Sequence, residues 1–424
     1  MPQWSGSTDV NRWCKRIILV VTSTVFGLLA GEGIVRILGV GNVTFTRGSL
    51  HAYDPDAGWT CQPDADTFYS QPGSFNVRVL CNSRGLRDEE IPYEKPPDRI
   101  RIVCLGDSFM WGYGVENNEM FSSRLEELIP GCETVNLGAN GYSTVQEMIR
   151  LETEGLKYGP NWTVLLFCWN DLEDNFCDKG GGRPVARLSG DGELEIINRP
   201  VRKQWKSPFK QWLRHHSKLF RLGEYWTARY RLHQRNKSHE KQVSEEYRSD
   251  PVTRSQKVVP DSHEAVLPST TPSRIQDQEK EVLDMRLSFF DIFGAPDKAV
   301  NLAWQVEELA LSRIHRMVSD TDGRLLVVYV ASQLTMKRKS FDKYMASLDS
   351  KADLSALDWD RPPERLGKIC SRLGIPYLNL MPLFREHEQG QSLFLKNNGH
   401  WSAAGHDLAA RAVADTITSL MVER

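Results

Sequence analysis

Several broad classes are excluded by what the sequence lacks. Its eight cysteines include no Cys-x-x-Cys pair, so a structural zinc site has no support. No charge of one sign dominates: 53 Lys and Arg stand against 55 Asp and Glu, a net of −2. That balance argues against a nucleic-acid binder driven by bulk electrostatics. With 40% hydrophobic and 25% charged residues the composition is ordinary for a globular chain. Disorder throughout, a collagen repeat and a small disulfide scaffold are excluded. The 424 residues allow one large domain with additions, or two or three small ones.

The N-terminus is the part that does not look globular. Ile17 to Ala30 is an apolar run of 14 residues behind Arg12, Lys15 and Arg16, and it continues less purely to Val40. A signal peptide has such a basic start and apolar core, but Leu-Leu-Ala-Gly at 28–31 is a poor cleavage site. A membrane helix needs about 20 mostly apolar residues, and 17–40 supplies them. Glu32 and Arg36, four apart, can pair near one end of such a helix. The expected layout is a cytoplasmic N-terminus at 1–16, an uncleaved transmembrane anchor at 17–40 and a lead-in segment at 41–98. Positive charge before the span keeps the N-terminus inside, so the rest faces the periplasm or the exterior. That compartment is oxidising, and Cys61 and Cys81 could close a loop there or stay as free thiols. Cys104 and Cys168 lie in apolar strand patterns and read as inert core residues.

From 99 to 424 short apolar runs alternate with helical patterns. Arg101–Leu105, Thr134–Leu137, Thr163–Cys168, Leu325–Val330 and Tyr377–Leu380 read as strands. Helices are expected over Met120–Ile129, from an N-cap at Ser143 to about Lys157, around Val306–Met317, over Pro362–Leu373 and over Ser402–Met421. Such alternation predicts a parallel five-stranded sheet covered on both faces, with the site at the carboxyl ends of its strands. The run is interrupted by an insertion at 177–297. Its basic aromatic part, 199–237, holds twelve Lys or Arg against one acid, Glu224. Trp205, Phe209, Trp212, Leu213, His216 and Phe220 fall on one helical face there. This stripe reads either as an amphipathic helix on a membrane or an anionic polymer, or as a cover helix packing its aromatics on the domain. The second reading is preferred, since an aromatic stripe usually belongs to a core. The composition of 238–280 predicts a disordered linker.

Four groups with chemical capacity follow strand ends. Gly106-Asp107-Ser108 could expose a serine hydroxyl at a tight turn. Asn136-Leu-Gly-Ala-Asn-Gly141 could turn backbone N–H groups toward it. Asn170, in Trp169-Asn170-Asp171, could donate to an oxyanion. His400, in Gly399-His400-Trp401-Ser402, could act as a general base on Ser108. Each has an ordinary reading as turn or cap chemistry. Their joint placement at element ends is much harder to reach by chance.

On these residues the sequence resembles the SGNH/GDSL-type serine hydrolases, in their bacterial membrane-anchored branch. Gly106-Asp107-Ser108 matches the first block, Gly141 the second-block glycine, Asn170 the third-block asparagine and His400 the last-block histidine. Asp54-Pro-Asp-Ala-Gly-Trp59, Asn82-Ser-Arg-Gly-Leu-Arg87 and Gly106-Asp-Ser-Phe-Met-Trp-Gly-Tyr-Gly114 fit as well. Gly399-His-Trp-Ser-Ala-Ala-Gly-His406 is similar to segments of members that process polysaccharide O-acetyl groups. The resemblance covers 99–176 and 298–424 and leaves the insertion uncovered. It implies a flavodoxin-like three-layer α/β/α sandwich and ester or acyl-transfer chemistry with no metal and no cofactor. It also implies Ser108 as nucleophile, His400 as base and an oxyanion hole of Ser108, Gly141 and Asn170. The implied partners are an acylated carbohydrate or small ester and the membrane, with no nucleic acid.

One departure stands out. The family places an aspartate two or three residues before the histidine, and here those positions are Asn398 and Asn397. An asparagine oxygen can accept from the imidazole but carries no charge; in a serine protease the Asp→Asn change costs about 10⁴-fold in turnover. Three outcomes stay open: a Ser–His dyad helped by Asn398 or a backbone carbonyl, an acid from elsewhere such as the insertion, or a non-catalytic binder of glycan or lipid. The expectation is an anchored esterase acting on envelope or extracellular carbohydrate, with an O-acetyltransferase and the non-catalytic binder as alternatives.

Overall fold

Largely apolar runs bounded by turn residues build the central sheet in this computed structural model. It describes residues 7–38, 50–71, 73–177, 182–203, 207–224, 226–227, 230, 287, 289–336, 357–387, 392–396 and 398–422. The chain divides into two compact units, Met1–Thr46 with Lys206–Val258, and Arg47–Trp205 with Val259–Arg424.

The larger unit is an α/β domain. Two antiparallel hairpins precede the sheet: β1 (His51–Asp54) with β2 (Gly58–Cys61), and β3 (Asp66–Gln71) with β4 (Phe75–Leu80). The sheet itself comprises β5 (Ile100–Gly106), β6 (Cys132–Asn136), β7 (Trp162–Phe167), β10 (Arg324–Tyr329) and β11 (Tyr377–Asn379). Its order is β11-β10-β7-β5-β6 and every pairing is parallel. Counted from β5, this is the flavodoxin-like order 2-1-3-4-5, whose direction reverses between β5 and β7. Ile102–Leu105, Val164–Phe167 and Leu326–Val328 are fully buried, because helices cover both faces and leave no solvated side. Helices Phe121–Leu128 and Ala403–Val422 pack together on one face. On the other, Lys298–Ser319 packs on Thr144–Thr153 and meets Arg361–Leu373 through Arg365, which lies over the Trp304 ring, and the Arg372–Glu308 ion pair. Asp297 caps Lys298–Ser319 by accepting from the Val300 N–H at 2.8 Å, a bond worth about 1 kcal/mol.

The parallel sheet, its five strands and its helical layers agree with expectation, and the differences are local. β6 begins at Cys132, two residues before the expected start, because Cys132 and Glu133 pair with Ile100 and Arg101. The helix capped at Ser143 ends at Thr153 and gives way to a tight turn over Gly155–Tyr158. The insertion contains an antiparallel hairpin, β8 (Val185–Leu188) with β9 (Leu194–Ile197), that the sequence did not announce.

The smaller unit is built on a long helix, α1 (Ser7–Ile37). Among the described residues, Trp13–Ile37 is the stretch long and apolar enough, by length and composition, to cross a membrane. The insertion contributes helix Pro208–His216, which ends at Ser217, and a further helical turn follows from Lys218. One continuous helix over 199–237 is therefore not what forms, and Arg199, Arg202 and Lys203 precede any helix. Within helix Pro208–His216, Phe209 is 67% exposed and Trp212 56% exposed. Trp205 and the expected linker at 238–280 lie outside the described residues.

Candidate active site

The reversal point between β5 and β7 carries the candidate site. β5 ends at Gly106, and Asp107 caps the short helix Ser108–Trp111, its Oδ1 accepting from the Phe109 N–H at 2.9 Å. Ser108 thereby leaves the strand end at the first position of a helix. The turn behind it is clamped by Arg87, from the Asn82–Arg87 segment. Its buried guanidinium lies over the Trp111 ring and donates to the carbonyls of Trp111, Gly112 and Val115.

His400 reaches Ser108 from the other end of the chain. Its Nε2 lies 2.7 Å from Ser108 Oγ. The loop is held by Trp401, fully buried, whose Nε1–H donates to the Ala331 carbonyl at 2.8 Å. Six residues on, His406 is also buried, and its Nδ1 accepts from the Phe121 N–H at 3.2 Å. The imidazole of His400 stacks on Tyr113, ring centres 4.2 Å apart and 18° from parallel. Burial pushes it down to about 4, so the ring is neutral at physiological pH.

The partner of His400 Nδ1 is Asn398 Oδ1, at 2.5 Å. An amide oxygen can only accept, so this contact puts the ring proton on Nδ1 and leaves Nε2 free to accept from Ser108. The amide itself is oriented. Asn398 Nδ2 donates to Gln71 Oε1 at 2.7 Å, and Gln71 sits at the end of β3. The His400 backbone N–H donates to the same Oδ1 at 3.0 Å, and a flipped amide would set its NH₂ against that N–H, so the backbone fixes the orientation in which Asn398 accepts from the ring and Gln71 supports it. Asn397 lies outside the described residues.

The remaining candidates connect to the Ser108 turn through Asp107. Asn170 follows β7, donates to Asp174 Oδ2 at 3.3 Å and also hydrogen-bonds Asp107. Gly141 follows β6 with φ +73°, a conformation that strains residues with a Cβ. Its loop is tied down by the Trp59 Nε1–H, which donates to the Asn140 carbonyl at 3.2 Å. Arg183, from the insertion, joins the two loops: it donates to the Gly141 carbonyl at 3.0 Å and pairs with Asp174 at 3.2 Å. Buried acids interact with this network. Burial pushes Asp107 up to about 7, opposed by the Phe109 N–H and assisted by the charge of Asp174. Burial also raises Glu307 to about 7 and lifts Glu147 and Asp171 well above the carboxylate range.

Residues 298–423, which include His400, match the family model of the SGNH hydrolase-like domain of the acetyltransferase AlgX. That stretch is similar to an SGNH hydrolase-like domain. Solved structures with similar folds include a catalytic mutant of Axe2, an acetylxylan esterase from Geobacillus stearothermophilus. It is 9% identical with a TM-score of 0.33, over 76% of this chain and 94% of that one. Another is LAE5, an alpha/beta hydrolase enzyme from the metagenome of Lake Arreo, at 10% identity and a TM-score of 0.35, over 76% and 95%. A comparison with curated proteins finds no match.

Within the larger unit, Ser108, His400 and Asn398 form one hydrogen-bonded chain, and Gly141 and Asn170 are linked through Arg183 and Asp174. Three further residues were not singled out from the sequence. Tyr113 was quoted within the Gly106–Gly114 motif, and that motif was its signal. Gln71 ends an alternating strand, Asp66-Thr-Phe-Tyr-Ser-Gln71, whose pattern says nothing of Asn398, 327 positions away. Arg183 lies in the insertion, where no motif marks it.

Proposed function

We propose that the protein is a membrane-anchored serine enzyme that makes and resolves an acyl-Ser108 ester, with O-acylated carbohydrate of the envelope or exterior as substrate. The observation that carries this reading is the oriented chain Gln71–Asn398–His400–Ser108. A serine hydroxyl is a weak nucleophile without an adjacent base. Here neutral His400 Nε2 accepts the Ser108 proton as Oγ bonds the acyl carbon. The ring becomes imidazolium, with its Nδ1–H still directed at Asn398 Oδ1. Negative charge collects on the former carbonyl oxygen, where the Ser108 N–H, the Gly141 N–H and the Asn170 amide donate to it. Collapse expels the alcohol, which takes the proton from His400 Nε2. The acceptor, water or a sugar hydroxyl, then loses its proton to Nε2 and attacks acyl-Ser108; collapse breaks the Oγ–acyl bond, and Ser108 Oγ takes the proton back from Nε2.

Hydrolysis and transfer share every step but the last. The match of residues 298–423 to a domain of the acetyltransferase AlgX favours transfer over hydrolysis. The anchor reading rests on Trp13–Ile37 and on the basic residues before it, and places the SGNH domain outside the cytoplasm.

The test is turnover of p-nitrophenyl acetate by the full chain, with intact-mass detection of the acetyl adduct, with and without an oligosaccharide acceptor. The expected result is an adduct and turnover that Ser108→Ala lowers by about 10⁴-fold or more. Acetylated oligosaccharide in excess of free acetate supports the transferase, and free acetate alone supports the esterase. A folded wild-type protein with neither adduct nor turnover overturns the reading.

A further inference from the structure

The insertion carries aromatic residues that no core covers. Helix Pro208–His216 exposes Phe209 and Trp212, whose rings stack in parallel 6.2 Å apart. Trp212 also meets the His216 ring, 5.0 Å away. Trp226 and Tyr230 are exposed by 58% and 63%. Exposed large aromatics in a basic stretch, twelve Lys or Arg against one acid over 199–237, are poorly suited to bulk water.

The same segment is bonded to the far end of α1. Glu32 accepts from Ser217 Oγ at 2.8 Å and from the N–H groups of Lys218 and Leu219 at 2.9 Å. Arg36 pairs with Glu32 at 2.7 Å and donates to the His216 carbonyl at 2.8 Å. The break between the two helical pieces thus sits on the ion pair in the last turns of α1, just before the apolar stretch ends at Ile37. Leu219 packs on α1 at Gly31, where an added Cβ would lie 3.2 Å from its Cδ2. One part of the segment is therefore committed to α1 while Phe209 and Trp212 remain uncovered.

We propose that residues 208–222 form a second membrane contact, an interfacial element that seats Phe209 and Trp212 among the lipid headgroups where α1 leaves the bilayer. Three observations select lipid as the occupant. The element is bonded to the end of the candidate span, which lies at headgroup depth if α1 crosses. Its exposed side chains are the aromatic type enriched at that depth. Its excess of cations complements anionic headgroups. The inference also accounts for Glu32 and Arg36 in an otherwise apolar helix, since backbone groups of the insertion satisfy both. It rests on the anchor reading, and the test separates the two.

The full chain is reconstituted in vesicles of phosphatidylcholine with a minority of phosphatidylglycerol, with the photo-reactive residue p-benzoylphenylalanine at position 212 or, separately, at position 29 of the span. Both positions are exposed, so neither replacement disturbs a core. Lipid adducts at both positions, read by mass spectrometry, are expected. Glu32→Gln should lower the adduct at 212 several-fold and leave that at 29 unchanged. An adduct at 29 with none at 212 overturns this inference and leaves the anchor standing. No adduct at either overturns both. Loss of the lipid adduct at 212 in favour of a polymer adduct, on adding a soluble polyuronate, assigns the surface to anionic glycan instead.

Discussion

Two differently built sides meet at the Ser108 turn. On the base side the groups that hold the imidazole are neutral: the His400 N–H and Gln71 orient Asn398, Asn398 accepts from His400, and Tyr113 stacks on the ring. On the other side the support is ionic. Arg183 pairs with buried Asp174 and holds the Gly141 carbonyl, while Asp107, Glu147, Asp171 and Glu307 sit behind at raised pKa. The base side fixes a proton's position without charge, by ordering one amide with another. The other side places backbone and amide donors with an ion pair, and burial disfavours ionisation of the acids behind. The difference shows that geometry and charge are separable in such a site, and substitutions on each side should fail in different ways.

The largest effect is expected where a donor is removed outright. Asn170→Ala should lower kcat by about 10²–10³-fold with little change in KM, since the donor acts on charge that exists only in the transition state. Steady-state kinetics on p-nitrophenyl acetate reads this, and an unchanged kcat removes Asn170 from the oxyanion side. Arg183→Met should act through stability. Both members of its pair with Asp174 are about 5% exposed, and breaking a buried pair costs about 3 kcal/mol. Thermal unfolding should show a lowered Tm, and an unchanged Tm would mean the ionic support is dispensable.

A smaller effect is expected on the neutral side. Gln71→Leu removes the acceptor that supports the Asn398 amide but leaves Asn398 and His400 in place. With the amide held by the His400 N–H alone, kcat should fall by about 10²-fold or less while KM holds. Gln71→Glu, which keeps an acceptor at that point, should restore most of the loss. Equal loss in both variants would mean that Gln71 serves packing rather than orientation.

How far this was legible depends on distance along the chain. The strands carry their own signal, as in Leu325-Leu-Val-Val-Tyr-Val330, and the short loops after them placed Ser108 and Asn170 at strand ends. The groups that set the base are of another kind. Gln71 and Asn398 are 327 residues apart, joined only because hairpin β3–β4 folds over the His400 loop, and no local periodicity reports such a meeting. The aromatic stripe is limited for a related reason. Its period shows that Phe209 and Trp212 share a helical face, but the period is the same for a face turned to a core or away from one.

The most informative substitution is the one with the smallest expected effect. Asn398→Asp installs the carboxylate that the family pattern leads one to expect. In a serine protease, Asp versus Asn is worth about 10⁴-fold, mainly because the amide presents the wrong group to the ring and selects the wrong tautomer. Here the His400 N–H and Gln71 already turn the oxygen toward Nδ1, so the tautomer is right without the charge. Asn398→Asp should therefore raise kcat by no more than about tenfold, the share left for charge alone. The pH profile separates tautomer from charge. His400 must be neutral to accept the Ser108 proton, and burial holds it at about 4. In the wild type kcat/KM should stay level as pH falls to about 5 and drop as it passes through 4. A carboxylate at 398 favours imidazolium, so in the variant the same drop should move to higher pH. A gain near 10³-fold would show that Asn398 had been presenting its NH₂ to the ring, so that the variant corrected the tautomer as well as adding charge.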